Sequence, residues 1–405
     1  MALPVEKVEV GFDQSFSGAA SFFTLDSAIK GELDNASYPL AGLQFIDITN
    51  RVRNFSLSRG RRSIFAAFPA GQATIELNNH DRAFDPLYTA SPFAGNIIPR
   101  REIRITSGGK LVFSGWIDDW NLSYLPNGDS VVEAVAYDAT SILSGQVLAA
   151  GTPTPELTGS RVAQVLDDVN WSSELRDIDT GLASLSDFAI EENTNVMAYL
   201  QQVANSEPGL VFVDKAGKVA FKDRSVTPTS ATLIDLGGTA IPVANLEVVY
   251  GSEKLYNQIS VSREGGGTAT ATNLQSVSDY GAREFEQNNL LLSTDGALVD
   301  LVVVLAERFS EPEYRFSALE VAVHKLDTAD QETILDAEIG DIARVTFTPN
   351  NIGDPIVRFV QIININHTVN TEAHFVEFGF QALDYAALVL DDAEFGKLDT
   401  YSLSW

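Results

Sequence analysis

Four histidines, His80, His324, His367 and His374, are the residues best suited by type to proton transfer or metal binding, and none stands in a His-Glu-x-x-His spacing. His367 and His374 fall on strands expected to pair near a turn, where the two rings approach without a third ligand in view. The chain has no cysteine, which removes disulfides, thiolate metal sites and cysteine nucleophiles together. Adjacent carboxylates such as Asp118-Asp119, Asp167-Asp168 and Asp391-Asp392 are plentiful. Glycoside hydrolysis needs two carboxyls facing across a cleft about 5 to 10 Å apart, whereas neighbours on a strand point to opposite faces. No Gly-x-Ser-x-Gly elbow offers a serine nucleophile. Asn78, Asp81 and Asp85 suggest a calcium loop, but the alternating ligands, central glycine and terminal glutamate of one are missing, so a hydrogen-bonded turn is expected. The triplet Gly265-Gly266-Gly267 lacks dinucleotide-binding spacing and a phosphate-loop lysine. The expectation is no catalytic residue, no cofactor and no metal.

These residues need large scaffolds to position them. A length of 405 residues implies two to four domains. Met1 to Val10 carries alternating charge rather than a signal-peptide core, and the longest apolar run, Ala297 to Ala306, is broken by Asp300, so no export signal or membrane span is expected. Fifty-five acidic residues against 27 basic ones give a net charge of -28, which repels phosphate backbones. Nine arginines, Arg51, Arg53, Arg59, Arg61, Arg62, Arg82, Arg100, Arg101 and Arg104, gather in one stretch of this acidic chain. Their planar forks suit carboxylates on a neighbouring subunit, or form a solvated basic face.

Period-two apolar alternation predicts strands at Gln44 to Thr49, Gly71 to Leu77, Glu102 to Thr106, Lys110 to Asp119 and Ser130 to Asp138, the spacing of a barrel or sandwich. Leu125-Pro126-Asn127-Gly128-Asp129 turns the last pair into a hairpin. Composition changes at Ala149 to Pro155. Beyond it, Ser160 is expected to cap a helix burying Val162, Val165, Leu166 and Val169, and Thr194 opens a second helix that stops before Pro208-Gly209. A hairpin spans Leu210 to Phe221. Strands resume at Leu246 to Tyr250 and Gln258 to Arg263, helices are expected at Ser276 to Asn288 and Ser293 to Ser310, and strands follow at Tyr314 to Leu326, Gly340 to Thr348, Val357 to Val369 and His374 to Asp384. The fold class is mainly β with α+β. Two similar β-barrel domains, residues 1–148 and 241–390, flank an α/β domain at 149–240; a helical insertion falls around 276–310 and a tail at 391–405.

The stretch from Arg59-Gly60-Arg61-Arg62-Ser63 through Gly71-Gln72-Ala73-Thr74-Ile75-Glu76-Leu77-Asn78-Asn79-His80-Asp81-Arg82-Ala83-Phe84-Asp85-Pro86 resembles a signature of phage minor tail proteins, the baseplate-hub-like family at the tail tip of long-tailed phages. Asp47 to Arg53 leads into it as in that family, Ser276 to Arg283 resembles the family's Ser-to-Tyr-Gly segment, and Leu403-Ser404-Trp405 is similar to its Leu-Gly-Trp ending, with Ser404 in place of the glycine. The resemblance implies a virion structural protein: two barrels per chain around an α/β domain, in a trimeric ring with a central channel for DNA. Its implied partners are the tail tube or distal tail protein, other tail-tip proteins and the tape-measure protein.

A weak internal repeat agrees with that architecture. Adding 246 to the first hairpin's numbers places Phe113 on Phe359, Trp116 and Ile117 on Ile362 and Ile363, and Val132, Ala134 and Ala136 on Phe378, Phe380 and Ala382. Three copies of a chain with two similar barrels present six similar surfaces to a sixfold tube. Arg59, Arg61, Arg62, Trp120 and Trp405 are the candidate interface residues. Two other functions compete with the hub: cell-wall hydrolysis, for which no nucleophile or acid pair can be named, and receptor or glycan binding through aromatics such as Trp120 and Tyr124.

Overall fold

The computed structural model describes residues 3–12, 45–63, 66–126, 128–225 and 233–383. Trp405 and the 391–405 tail lie outside the described residues, as does Asn127.

Apolar alternation places most of the strand residues in one 13-stranded sheet. Its strands fall into two sets of equal order. The first runs Glu6–Gly11, Arg101–Ser107, Lys110–Tyr124, Ser130–Tyr137, Gln72–Asn78, Val52–Gly60. The second runs Ile234–Gly237, Ile342–Phe347, Ile356–Asn370, His374–Ala382, Glu313–Ala322, Asn245–Gly251. Ile46–Asp47 is added at the edge of Glu6–Gly11. One difference separates the sets: Glu6–Gly11 runs antiparallel to its neighbour, while Ile234–Gly237 runs parallel.

The halves are joined by backbone. Val52–Gly60 pairs with Gln72–Asn78 on one side and on the other with the second half's long strand, from Asn364 opposite Gly60 to Asn370 opposite Asn54. Phe55, Leu57, Ile75, Ile103, Ile365 and Phe378 therefore share one hydrophobic core. Both hairpins carry a bulge, between Ile117 and Asp119 and between Ile362 and Asn364. Matching the bulges sets the repeat at 245 on the first strand and 244 on the second, where 246 was expected. The two bulges match, and the turn after Tyr124 is one residue longer than that after Val369, which is the residue by which the two offsets differ. Side-chain bonding repeats too: Asn121 Nδ2 donates to Glu133 Oε1 at 3.4 Å, and Asn366 Nδ2 to Glu377 Oε1 at 3.2 Å.

Two smaller cores lie beside the sheet. Helices Thr158–Asp168 and Val196–Asn205 pack with the Arg176–Ile178, Leu210–Val213 and Val219–Lys222 strands. The first helix begins two residues before Ser160, after Leu157, and Asn195 caps the second. Helix Asp295–Phe309 buries Leu298, Leu301, Val302 and Leu305, spaced i, i+3, i+4 and i+7 on one face, against strands Gln258–Arg263, Thr268–Thr272 and Glu284–Leu290.

Several expected elements differ. The helix predicted at Ser276 to Asn288 divides into helix Leu274–Tyr280 and strand Glu284–Leu290, because Gly281, at φ 78°, ends the helix and Phe285 then pairs with Ile259. Of the strand predicted at Gln44 to Thr49, Gln44 lies outside the described residues and the rest reduces to Ile46–Asp47, with Val52–Gly60 as the long strand. Tyr314 to Leu326 stops extending at Ala322, where a short 3-10 turn begins. Helix Thr328–Asp336 was not anticipated, since it buries only Ile334 and Leu335.

Candidate functional site

The signature segment builds the join between the halves. Gly60 sits at φ 112°, and a Cβ there would lie 2.3 Å from the Ile363 carbonyl oxygen, so only glycine lets the two strands approach this closely. A Cβ on Gly71 would lie 2.5 Å from Asp138 Oδ2, the oxygen that accepts the Gly71 N–H at 2.8 Å. The Asn-Asn-His-Asp run is turn chemistry. Asn79 Oδ1 accepts from the Phe84 N–H at 2.9 Å, Asn78 Oδ1 from the His80 N–H at 3.1 Å and Asp85 Oδ1 from the Leu87 N–H at 2.9 Å. The loop thereby inserts Phe84 beneath the first half, where it stacks with Phe93 and Trp120 at centroid distances of 5.4 and 5.8 Å. Asp81 and Asp85 pair with Arg51 and Arg82. Among the described residues no group of three or more His, Asp or Glu side chains is arranged to hold a metal ion.

The arginine cluster is engaged within the chain. Arg53 grips Asp129 with both terminal nitrogens at 2.6 and 3.1 Å, and Arg101 bonds Asn96 through its backbone and side-chain oxygens. Arg59, 3% exposed, reaches across the join to Glu338 Oε1 at 2.8 Å. Glu338 Oε2 accepts the Lys215 N–H at 2.9 Å, so one carboxylate ties the first half, the α/β module and the second half together. Arg61 is buried with its guanidinium 4.8 Å from the Phe68 ring centroid, and burial beside Arg308 lowers its pKa to about 10. Arg62 is exposed.

Burial sets the protonation of this junction. Asp138, which caps helix Ala139–Leu143 through the Thr140 N–H at 2.9 Å, is pushed up to about 6 by desolvation, against the pull of its hydrogen bonds and of Arg59. Desolvation also raises Asp214 and Asp341 and lowers Lys215. The two strand histidines do meet. His367 Nδ1 lies 3.0 Å from His374 Nε2, and His374 Nδ1 lies 3.1 Å from Glu6 Oε1, which also accepts Ser107 Oγ–H at 2.9 Å. His324 Nδ1 lies 3.1 Å from the His374 carbonyl oxygen. Burial, then the neighbouring His374, Arg59 and Lys215, holds His367 well below the ordinary imidazole range. This polar chain crosses from the Glu6–Gly11 strand to the second half's hairpin.

Trp120 is half-buried and donates its indole N–H to the Ile98 carbonyl at 3.1 Å. Trp116 packs on the α/β core, as does Trp171. Tyr124 remains 55% exposed, its hydroxyl 3.1 Å from Asp85 Oδ2, beside a hollow of about 520 Å³ lined by Arg82, Pro86, Leu87 and Leu122. Arg59 is an internal tie between the halves, not the exposed partner contact that its place in the arginine cluster suggests. The period-two spacing of Phe55, Leu57 and Arg59 was the signal that it faces inward.

No protein-family model and no curated protein matches the sequence. Solved structures match the fold. The chain is similar to a tail protein from Neisseria meningitidis MC58, with a TM-score of 0.59 at 11% identity over 94% of this chain and 97% of that one. It is similar to the 43 kDa tail protein of prophage MuSo2 from Shewanella oneidensis, with a TM-score of 0.55 at 14% identity over 84% and 96%. A prophage tail protein from Listeria monocytogenes EGD-e gives 0.50 at 12% over 92% and 94%. The fold is thus one found in phage tail proteins, the group that residues 59–86 resemble.

Proposed function

We propose that this chain is a structural hub at the distal end of a phage tail, a homotrimer that adapts the sixfold tail tube to a threefold tip and lets DNA pass. The observation that carries this reading is the repeated strand order: one chain presents two equivalent six-strand units in one sheet. Three chains then present six, which is the match a sixfold tube needs. The shared fold with prophage tail proteins supports a virion location. The partners proposed are the tail tube or distal tail protein, the tape-measure protein and other tip proteins. The domain division is proposed as 1–148, 149–240 and 241–390 with a 391–405 tail; strand Ile234–Gly237 pairs into the second unit.

The net charge of -28 supports an acidic channel from which DNA is repelled. The role is mechanical, with no catalysis. No helix among the described residues is long and apolar enough to cross a membrane.

Light scattering on the purified protein, with negative-stain images in the presence and absence of the tail-tube protein, tests the hub. A trimeric ring is the expected result. A second reading, glycan or receptor binding, is favoured by the open hollow at Leu87 and Tyr124; a monomer that ignores tube protein and binds cell-wall fragments would support it instead.

A further inference from the structure

Apart from the direction of their first strands, the two six-strand units differ where they meet, and that difference leaves two complementary edges. In the second unit the long strand Ile356–Asn370 has three partners: His374–Ala382 on one side, and on the other Ile342–Phe347 followed by Val52–Gly60. In the first unit the equivalent strand Lys110–Tyr124 has, among the described residues, only Ser130–Tyr137 and, along its first half, Arg101–Ser107. The side of residues 119–124 that corresponds to the Val52–Gly60 contact carries no strand among the described residues. Likewise Val52–Gly60 is paired on both sides, while its equivalent, Asn245–Gly251, is paired among the described residues only with Glu313–Ala322.

Registers define the equivalence. Phe55 faces Ile75 as Leu246 faces Leu319, and Asn54 faces Glu76 as Asn245 faces Glu320. Counting along the strand, Gly60 corresponds to Gly251. A Cβ at Gly60 would strike the strand it joins, but at Gly251 it would meet nothing nearer than Val249 at 4.0 Å. The glycine stands where a crossing strand requires one, with the space beside it open.

We propose that Asn245–Gly251 of one copy adds antiparallel to residues 119–125 of a second copy, repeating between chains the pairing of residues 54–60 with 364–370 inside one. The register follows: Asp119 opposite Gly251, Trp120 opposite Tyr250, Asn121 opposite Val249, Leu122 opposite Val248, Ser123 opposite Glu247 and Tyr124 opposite Leu246. On the inner face this joins Trp120 to Tyr250 and Tyr124 to Leu246, covering a Tyr250 side chain that is 68% exposed in the single chain. The contact is head to tail, so each copy uses both edges and the ring closes without a free one. It rests on the reading of the chain as a self-assembling hub and names the surface by which the ring forms. Because every copy is strongly negative, salt strengthens the association.

The absence of native cysteine makes a cross-link unambiguous. In the doubly substituted chain Asn121→Cys, Val249→Cys, mild oxidation is expected to give covalent dimers and trimers on a non-reducing gel, and the pair Ser123→Cys, Glu247→Cys the same. The out-of-register pair Asn121→Cys, Glu247→Cys is expected to give at least about tenfold less, since diagonal Cβ atoms lie roughly 7 Å apart. Gly251→Val is expected to keep the folded monomer and weaken the ring at least about a hundredfold. A trimer by light scattering in which neither in-register pair links would overturn this surface and leave the hub reading standing. A chain that stays monomeric at about millimolar concentration in high salt, with no cross-link, would overturn both.

Discussion

Strands Val52–Gly60 and Asn245–Gly251 hold the same place in two copies of one architecture, yet among the described residues the first is sealed along both edges and the second along one. Their matched positions differ in kind. Arg59 is a charge made tolerable by burial against Glu338, while its counterpart Tyr250 is an exposed aromatic. A buried ion pair suits a contact made once, during folding, because each charge must be satisfied at all times. An amphipathic ring suits a surface that faces water before it meets a partner.

The largest expected effect breaks the sealed join. Gly60→Val places a side chain onto the Ile363 carbonyl and is expected to destabilise the fold by about 4 kcal/mol or more, against about 0.5 kcal/mol or less for Gly251→Val in the single chain. Denaturant unfolding of both variants measures the contrast. Next, Arg59→Ala leaves Glu338 without its partner at the three-way junction and is expected to cost about 3 kcal/mol, where Tyr250→Ala in the monomer costs about 0.5 kcal/mol or less. Arg62→Ala, at an exposed position, is expected to leave folding intact, so any loss of particle assembly from it reports a partner contact.

Acid sharpens the comparison, because the His367–His374–Glu6 chain lies on the sealed side only. His367 is depressed in the fold, so the unfolded chain binds its proton first. The stability it supports is complete above about pH 6.5 and is lost as pH falls below that value. The His367→Gln variant is expected to lose less unfolding stability than the unsubstituted chain between about pH 7 and 5.5. Asp138 acts in the opposite sense. With its pKa raised to about 6, its contribution is complete below about pH 3.8 and lost as pH rises through 6, so Asp138→Asn is expected to steepen the net acid loss.

Much of this was legible in the chain. Alternation located the hairpins, the i, i+3, i+4 and i+7 spacing of Leu298, Leu301, Val302 and Leu305 located their helix, and the signature marked the segment that proves to join the halves. Val52–Gly60 was hidden because Arg53, Ser56, Ser58 and Arg59 read as polar surface, although Phe55 and Leu57 carry the strand period. The arginines looked like partner contacts because spacing cannot say whether a carboxylate 279 residues away, Glu338, lies on the same chain. The repeat is visible in the alternation but one to two residues out of phase, since pairing register and a turn shorter by one residue leave no mark in composition.

In the proposed hub, two equivalent units per chain become six in a closed ring. Light scattering of the purified protein, alone and with tail-tube protein, tests it most directly. A particle of three times the chain mass, appearing as a ring with six similar lobes in negative stain, is the predicted result. A mass that stays at one chain in both conditions would contradict it.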